Sequence, residues 1–479
     1  MESGSYLSGL TYLLPELSLL ATAAIAMFVH VFLKRRGVRL ASFIALAGLV
    51  LGLMILVFSP RSPGALYAGS LSFDPLSFYF RLIVMISGIL SILLAIRFFN
   101  VEKFEPGEVY YLLPLTLIGM MAAVSSVDLI TTYVSFELFA IPSYVLAGVF
   151  KKEKRSAEAG IKYFFLGTLS SGIMLLGMAF VFGLTGETNY GAIAKYLEGA
   201  NEHIALVGMI LFFAALFFKG AMAPFHMWAP DVYEGAPTPV VVFLSTASKA
   251  AVFAILIRLI LTVFQRFEVQ WSHIFQFIAL VTMFWGNLAA LVQKNVKRMM
   301  AYSSIAHAGY IAIGLAAWGE LAHMAVLFYV FMYLFMNAAA FSMILLIRKD
   351  GGFGEEISDL RGLARKSPVS AGCLLVVLLS LTGIPPTAGF MGKYFLFTAA
   401  VEKNLIVLAA AGALNSVISL FYYFRIGRAM FMEESLPDVR IEHSMPVTMV
   451  LVFSALALLI FGIFPSLLTP LATASPLIK

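Results

Sequence analysis

Five charged residues stand inside stretches otherwise apolar enough to span a bilayer: Glu137, Lys219, Lys249, Arg258 and Lys393. An ionisable group costs about 2.5–3.5 kcal/mol at the membrane centre on insertion scales, so such groups are retained mainly where they line an ion or proton path. Glu137 and the three lysines can take up and release protons, since burial opposes their charged forms. Arg258 is effectively never deprotonated, so it can pair a charge or hold water but cannot relay a proton. His307 lies in Tyr302-Ser-Ser-Ile-Ala-His307-Ala-Gly-Tyr310. A histidine acts at either ring nitrogen and can bridge two such groups; a hydrogen-bonded core histidine is the alternative. His323 lies nearer a helix end and is less favoured, while Arg81, Lys162 and Asp128 are close enough to helix ends to be interfacial. For Glu137 the bland reading is a structural ion pair, and for Lys249 it is a lysine snorkelling to the surface.

The chain that must position these groups has 479 residues, is 61% hydrophobic and 12% charged, and has a mean hydropathy of +0.94. Such values fall far outside the range of soluble globular domains and describe a polytopic membrane protein in a lipid bilayer. The net charge of +6 is explained by basic loops, and no nucleic-acid partner is expected. Cys373 is the single cysteine, which excludes an intrachain disulfide framework and an all-cysteine metal site. Met1-Glu2-Ser3-Gly4 lacks a basic n-region, so the first apolar run is expected to be a retained helix.

At about 20 residues per crossing, fourteen apolar stretches are found. They lie near 9–33, 38–58, 74–98, 108–126, 128–150, 157–184, 203–225, 238–265, 271–292, 297–317, 321–347, 369–400, 404–430 and 445–470. With both termini outside the cytoplasm, 21 of the 32 basic residues fall in the linkers that face inward and 5 (Arg61, Lys195, Arg266, Lys403 and Lys479) in those that face outward. That asymmetry obeys the positive-inside rule for fourteen spans.

Two stretches are interrupted beside a charge. In the seventh, Pro224 cannot donate to the carbonyl of Gly220 and crowds it, so the helix should break just after Lys219. In the twelfth, Thr382-Gly-Ile-Pro-Pro-Thr-Ala-Gly389 breaks the helix ahead of Lys393. Irregular backbone at this depth is tolerated only where it is buried in protein or lines a water-filled cavity. Broken helices in corresponding positions of two halves point to a transporter built from repeats. The expected fold is therefore all-α, with about 14 transmembrane helices and two inverted five-helix repeats, helices 4–8 and 9–13. The expected divisions are a three-helix segment at 1–107, the repeats at 108–265 and 271–430, and a C-terminal helix at 431–479. Lys219 ends a half-helix, where the dipole favours a cation, and Glu137 is its natural partner. Lys393 near a helix N-terminus is expected to be the more readily deprotonated of the two.

Several motifs are long enough to be specific. They are Ser135-Phe-Glu137-Leu; Phe218-Lys219 followed by Pro224-Phe-His226-Met-Trp228-Ala-Pro230-Asp231-Val-Tyr233-Glu234-Gly235-Ala-Pro237; and Ala247-Ser-Lys249. Asn295-Val-Lys297-Arg298 through His307-Ala-Gly309-Tyr310 and Gly383-Ile-Pro385-Pro386-Thr-Ala-Gly389-Phe complete the set. Together, over residues 128–430, they resemble the antiporter-like subunits of respiratory complex I. Within the family, the chain ends soon after the fourteenth stretch, without the long lateral helix of one member, and carries Lys393 where another typically has glutamate.

The resemblance implies a proton-translocating subunit of a prokaryotic NADH:quinone oxidoreductase in the inner membrane, with one half-channel in each repeat. Glu137, Lys219, Lys249 and Lys393 would be the channel residues and His307 a connector. It places FMN, iron–sulfur clusters, the NADH site and quinone in or near other subunits, with other membrane subunits as partners. The chain itself shows no dinucleotide fingerprint and no cysteine cluster, and no redox centre is expected in it. The alternatives are a subunit of a multi-chain Na⁺/H⁺ antiporter or membrane-bound hydrogenase, or a stand-alone transporter whose breaks bind a solute.

Overall fold

In a bilayer every backbone polar group must be satisfied within the protein, which leaves helices as the economical solution for apolar segments. The computed structural model describes residues 9–60, 65–102, 106–199, 202–349, 352–442 and 444–473. Among these residues, eleven helices are long and apolar enough to cross a membrane and three more apolar helices are shorter. They coincide with the fourteen expected stretches. In order they are α1 (Thr11–Lys34), α2 (Arg36–Phe58), α3 (Pro75–Asn100), α4 (Val109–Ser125), α5 (Leu129–Ala147), α6 (Lys154–Thr185) and α7a (His203–Lys219). There follow α8 (Thr238–Leu261), α9 (Gln265–Leu291), α10 (Val296–Ala316), α11 (Glu320–Leu346), α12a (Pro368–Thr382), α13 (Ile406–Met432) and α14 (Met445–Ile463). Arg61, Lys103 and Lys479, used above for orientation, lie outside the described residues, as do the two ends of the chain and the Arg35 side chain.

The three shorter helices have a reason for their length in two cases, because α7a and α12a are first halves. The α7a helix ends at Lys219, Ala221 follows with φ +55°, and the chain re-enters a helix as α7b (Trp228–Gly235). The segment Tyr233–Ala236 is thus largely the last turn of α7b. Helix α12a ends at Thr382, Gly383 caps it with φ +89°, and α12b runs Ala388–Glu402. The two halves touch closely: a Cβ on Gly389 would lie 1.8 Å from the Ser380 carbonyl oxygen, so only glycine fits. The Gly389 N–H donates to Ser380 Oγ at 3.0 Å.

A third irregularity had no sequence forecast. Leu244–Ser248 of α8 winds as a π-helix immediately before Lys249. Thr246 Oγ1 and Ser245 Oγ both donate to the Val242 carbonyl, at 2.6 and 3.1 Å, and such side-chain bonds compete with the regular ladder.

Burial sorts the helices. The apolar windows of α8 and α11 are wholly buried and that of α10 is 94% buried, whereas those of α1 and α2 are only 28% and 33% buried. The column α8–α10–α11 is therefore the axis of the molecule. Helices α4–α8 and α9–α13 form two five-helix units, each broken in its fourth helix, and an odd number of crossings sets the second upside down relative to the first.

Two buried ion pairs fasten this frame. Arg258 of α8 grips Asp74, just ahead of α3, with both Nη atoms, at 2.7 and 3.0 Å, and also donates to the Val124 carbonyl at 3.2 Å. Arg81, near the start of α3, is 3% exposed and bonds Glu16 of α1 at 2.6 Å. The α1 helix covers it. Because stripping one partner leaves a charge buried alone, Arg258→Leu is expected to destabilise the chain by about 3–5 kcal/mol. Arg258→Leu with Asp74→Leu should recover most of that loss, read as thermal unfolding of the extracted complex; equal loss in both would show that the arginine acts otherwise.

Candidate functional site

The first group of candidates lies in the α5–α6–α7a corner. Glu137 sits in α5 one turn before Pro142, and its carboxylate accepts a hydrogen bond from Ser171 of α6. Lys219, the last residue of α7a, is 1% exposed. Its Nζ has no hydrogen-bond partner and no carboxylate within 4 Å among the described residues. Instead it lies over four rings: Tyr163 at 4.7 Å, Tyr144 at 4.9 Å, Phe139 at 5.3 Å and Phe136 at 5.8 Å. The expected Glu137–Lys219 pair is therefore not a contact pair. Aromatic faces carry a negative quadrupole and hold a cation loosely, without fixing a proton acceptor beside it.

The second group is a polar network in the central column. Lys249 does not snorkel: it is 2% exposed, and its Nζ donates to the Ser304 carbonyl at 2.6 Å and to Ser304 Oγ at 2.7 Å. Tyr333 of α11 donates to the same Ser304 Oγ at 2.7 Å. One turn on from Ser304 stands His307, whose ring meets Tyr333 with centroids 5.3 Å apart. Its Nδ1 bonds the Tyr329 hydroxyl at 2.7 Å and its Nε2 the Tyr423 hydroxyl of α13 at 3.2 Å. Which nitrogen carries the proton depends on these two phenols. Beyond His307 comes Tyr310, rings 5.7 Å apart, and over the Tyr310 ring at 4.3 Å sits the ammonium of Lys393.

Lys393 corrects an expectation. It lies on the second turn of α12b, but its Nζ reaches back to donate to the carbonyls of Leu381 and Thr382, at 3.1 and 2.9 Å. The side chain thus meets the C-terminal end of α12a, where orphan carbonyls welcome a cation, rather than the N-terminus of α12b. The physical ground for expecting Lys393 to lose its proton more readily than Lys219 is absent, since Lys393 has two acceptors and Lys219 has none.

Among the other candidates, Arg258 belongs to the ion pair with Asp74, and His323 packs edge-on against Trp318. Asp128 caps α5, accepting from the Thr131 N–H at 2.9 Å, and Lys162, 41% exposed, pairs with Glu158 and Asp231. Sequence reasoning missed Ser304, Tyr310, Tyr329, Tyr333 and Tyr423. A signal existed for most of them: Ser304, His307 and Tyr310 recur at intervals of three, and Tyr329 and Tyr333 at four, each set on one face of a helix. Among the described residues there is no group of three or more His, Cys, Asp or Glu that could hold a metal ion.

Residues 126–419, which include all five candidates, match the family described as NADH:quinone oxidoreductase/Mrp antiporter, TM. The chain belongs to this family. NADH-quinone oxidoreductase subunit N of Trichlorobacter lovleyi is 39% identical over 467 residues, which cover 97% of this chain and 96% of that one. A chain of respiratory complex I from Thermus thermophilus with bound aureothin superposes with a TM-score of 0.82 at 30% identity, covering 97% of this chain and 100% of that chain. A chain of the membrane-bound sulfane sulfur reductase, an archaeal respiratory membrane complex, superposes with a TM-score of 0.85 at 26% identity, over 97% and 98%. As a member of the NADH:quinone oxidoreductase/Mrp antiporter family, the chain is a multi-pass membrane protein whose helical fold extends over nearly the full length of these relatives.

The unequal surroundings of the lysines make a stability test. Lys219→Met removes a buried charge that has no partner and is expected to melt no lower than the parent. Lys393→Met strands two carbonyls and should cost about 1–3 kcal/mol for each. Equal losses in thermal unfolding would mean that Lys219 has a partner the geometry lacks.

Proposed function

We propose that this chain is the antiporter-like, proton-translocating membrane subunit of a multi-subunit NADH:quinone oxidoreductase. The observation that carries the reading is the set of titratable groups inside the apolar helices: half-buried Glu137 and buried Lys219 in the α5–α6–α7a corner, then buried Lys249, His307 and Lys393 joined through Ser304 and the tyrosines. The near full-length likeness to proteins named NADH-quinone oxidoreductase subunit N supports it over the antiporter and hydrogenase alternatives.

Residues 108–265 and 271–430 act as two half-channels, flanked by the three-helix segment 1–107 and the C-terminal helix of 431–479. Protons enter from the cytoplasmic, basic-linker end and load Lys249 or Lys219. A change at Glu137 alters the proton affinity of Lys219 by charge alone, since unscreened charges act over several ångströms in a low-dielectric interior. Ser304, Tyr333 and His307 offer the hydrogen-bonded steps from Lys249 towards Lys393, from which the proton leaves on the outer side. Both termini lie on that outer side, in an inner membrane.

Neighbouring membrane subunits are the partners; NADH, FMN, iron–sulfur clusters and quinone belong to other chains. A solute carrier is disfavoured because the polar groups freed at the breaks are taken up internally. Lys393 fills the α12 break, Thr282 Oγ1 accepts the Ala223 N–H at 3.0 Å, and Trp228 Nε1 donates to the Phe218 carbonyl at 2.7 Å.

The test is proton pumping per electron in vesicles that carry the assembled complex. Lys219→Ala and Lys249→Ala are each expected to lower both NADH oxidation and pumping roughly ten-fold or more, the scale of a lost proton-transfer group. His307→Gln should act more weakly, because the serines and tyrosines around it remain. Unchanged pumping in the lysine variants would make these residues structural and end the relay.

A further inference from the structure

At the end of the bundle that carries the basic linkers, a cavity of about 360 Å³ opens between the α5–α6 linker, the end of α7b, the start of α10 and the α11–α12 linker. Its lining includes Glu153, Glu234, Glu355 and Lys297. The Lys297 side chain is only 5% exposed, against 26% for Glu355. Its Nζ donates to Glu355 Oε1 at 2.9 Å and to the Ala236 carbonyl, also at 2.9 Å, at the junction of α7b and α8. One ammonium therefore ties three elements together. The backbone fastens the same corner: the Val296 N–H donates to the Glu355 carbonyl at 2.6 Å and the Ile357 N–H to the Lys294 carbonyl at 3.0 Å.

Beneath this tie lies the central network. Lys297, Ala301 and Ser304 follow one another at intervals of four and three and share one face of α10. Ser304 is the residue that holds Lys249. Two helical turns, about 10 Å, separate it from Lys297, and the residue between them on that face, Ala301, carries only a methyl group. Tyr233 of α7b approaches the same point: its buried hydroxyl lies beside Ser304 and Tyr333.

We propose that this cavity is the access point for protons to Lys249 and that the Lys297–Glu355 ion pair is its gate. The proposal rests on the reading of Lys249 as a proton carrier. While the pair holds, the Lys297 side chain closes the cavity floor, and its charge opposes a second positive charge below it. When the pair parts, the route past Ala301 to Ser304 is walled by a methyl group, the Tyr233 hydroxyl and the Ala236 carbonyl. Lys297 acts as a positioning residue, holding the α7b–α8 junction against α10, and does not itself carry the proton.

Access can be read apart from pumping. In the assembled complex, with Cys373→Ser to remove the chain's only cysteine, Ala301→Cys is exposed to a charged, membrane-impermeant methanethiosulfonate from the cavity side, and mass added to this chain is followed. Labelling should be slow with the pair intact and in Lys297→Arg. It should rise on the order of ten-fold in Lys297→Ala and in the shape-preserving Glu355→Gln, the change that about 1.4 kcal/mol imposes on an opening equilibrium. The same rate in all four proteins would overturn the gate. If labelling follows the pair but pumping survives Lys249→Ala, the gate stands and the proton-carrier reading falls.

Discussion

A polar group inside a bilayer has only the protein to bond to, and most of this structure follows from how that demand is met. Straight helices meet it for their own backbones. Wherever the chain breaks a helix, it must supply a substitute partner, and those substitutes are the residues that do chemistry. The carbonyls freed at the end of α12a are taken by Lys393, and those near the end of α7a by the Trp228 indole and its neighbours. The π-wound turn of α8 lies directly ahead of Lys249, whose ammonium leaves its own helix to bond Ser304 on α10. Irregular backbone and buried charge occur together because each supplies what the other lacks.

The same rule separates charges that hold the frame from charges that can move. Arg258 with Asp74 and Arg81 with Glu16 are fully partnered, at least one member of each pair can never give up its proton, and each ties α3 to another segment. Lys219 is the opposite case: a deeply buried amine held by ring faces and by nothing that accepts a hydrogen bond. Lys249 and Lys393 stand between these extremes, each bonded to neutral oxygens that suit either protonation state of a neighbour.

Much of this was legible in the chain. The fourteen helices follow from runs of apolar residues, the break after Lys219 from Pro224, and the break ahead of Lys393 from Gly383 and two prolines, because each of these signals is local. The cluster around His307 was half legible, since Ser304, His307 and Tyr310 share a helical face. The partner of Arg81 was not legible, because nearness to a helix end says nothing of what packs over a residue. Glu16 arrives from a helix 65 residues earlier.

By itself the sequence determined the number of the helices, the places where two of them break, and which ionisable groups are carried into the apolar interior. Only the tertiary structure decided what each of those groups touches. Arg258 meets a carboxylate 184 residues away, Lys219 meets four rings instead of Glu137, and Lys393 turns back to the helix half that precedes its own. The physical reason is one of range. Periodicity, proline chemistry and hydropathy act within a turn or two of the chain, whereas the partner of a buried charge is chosen by which helices pack side by side.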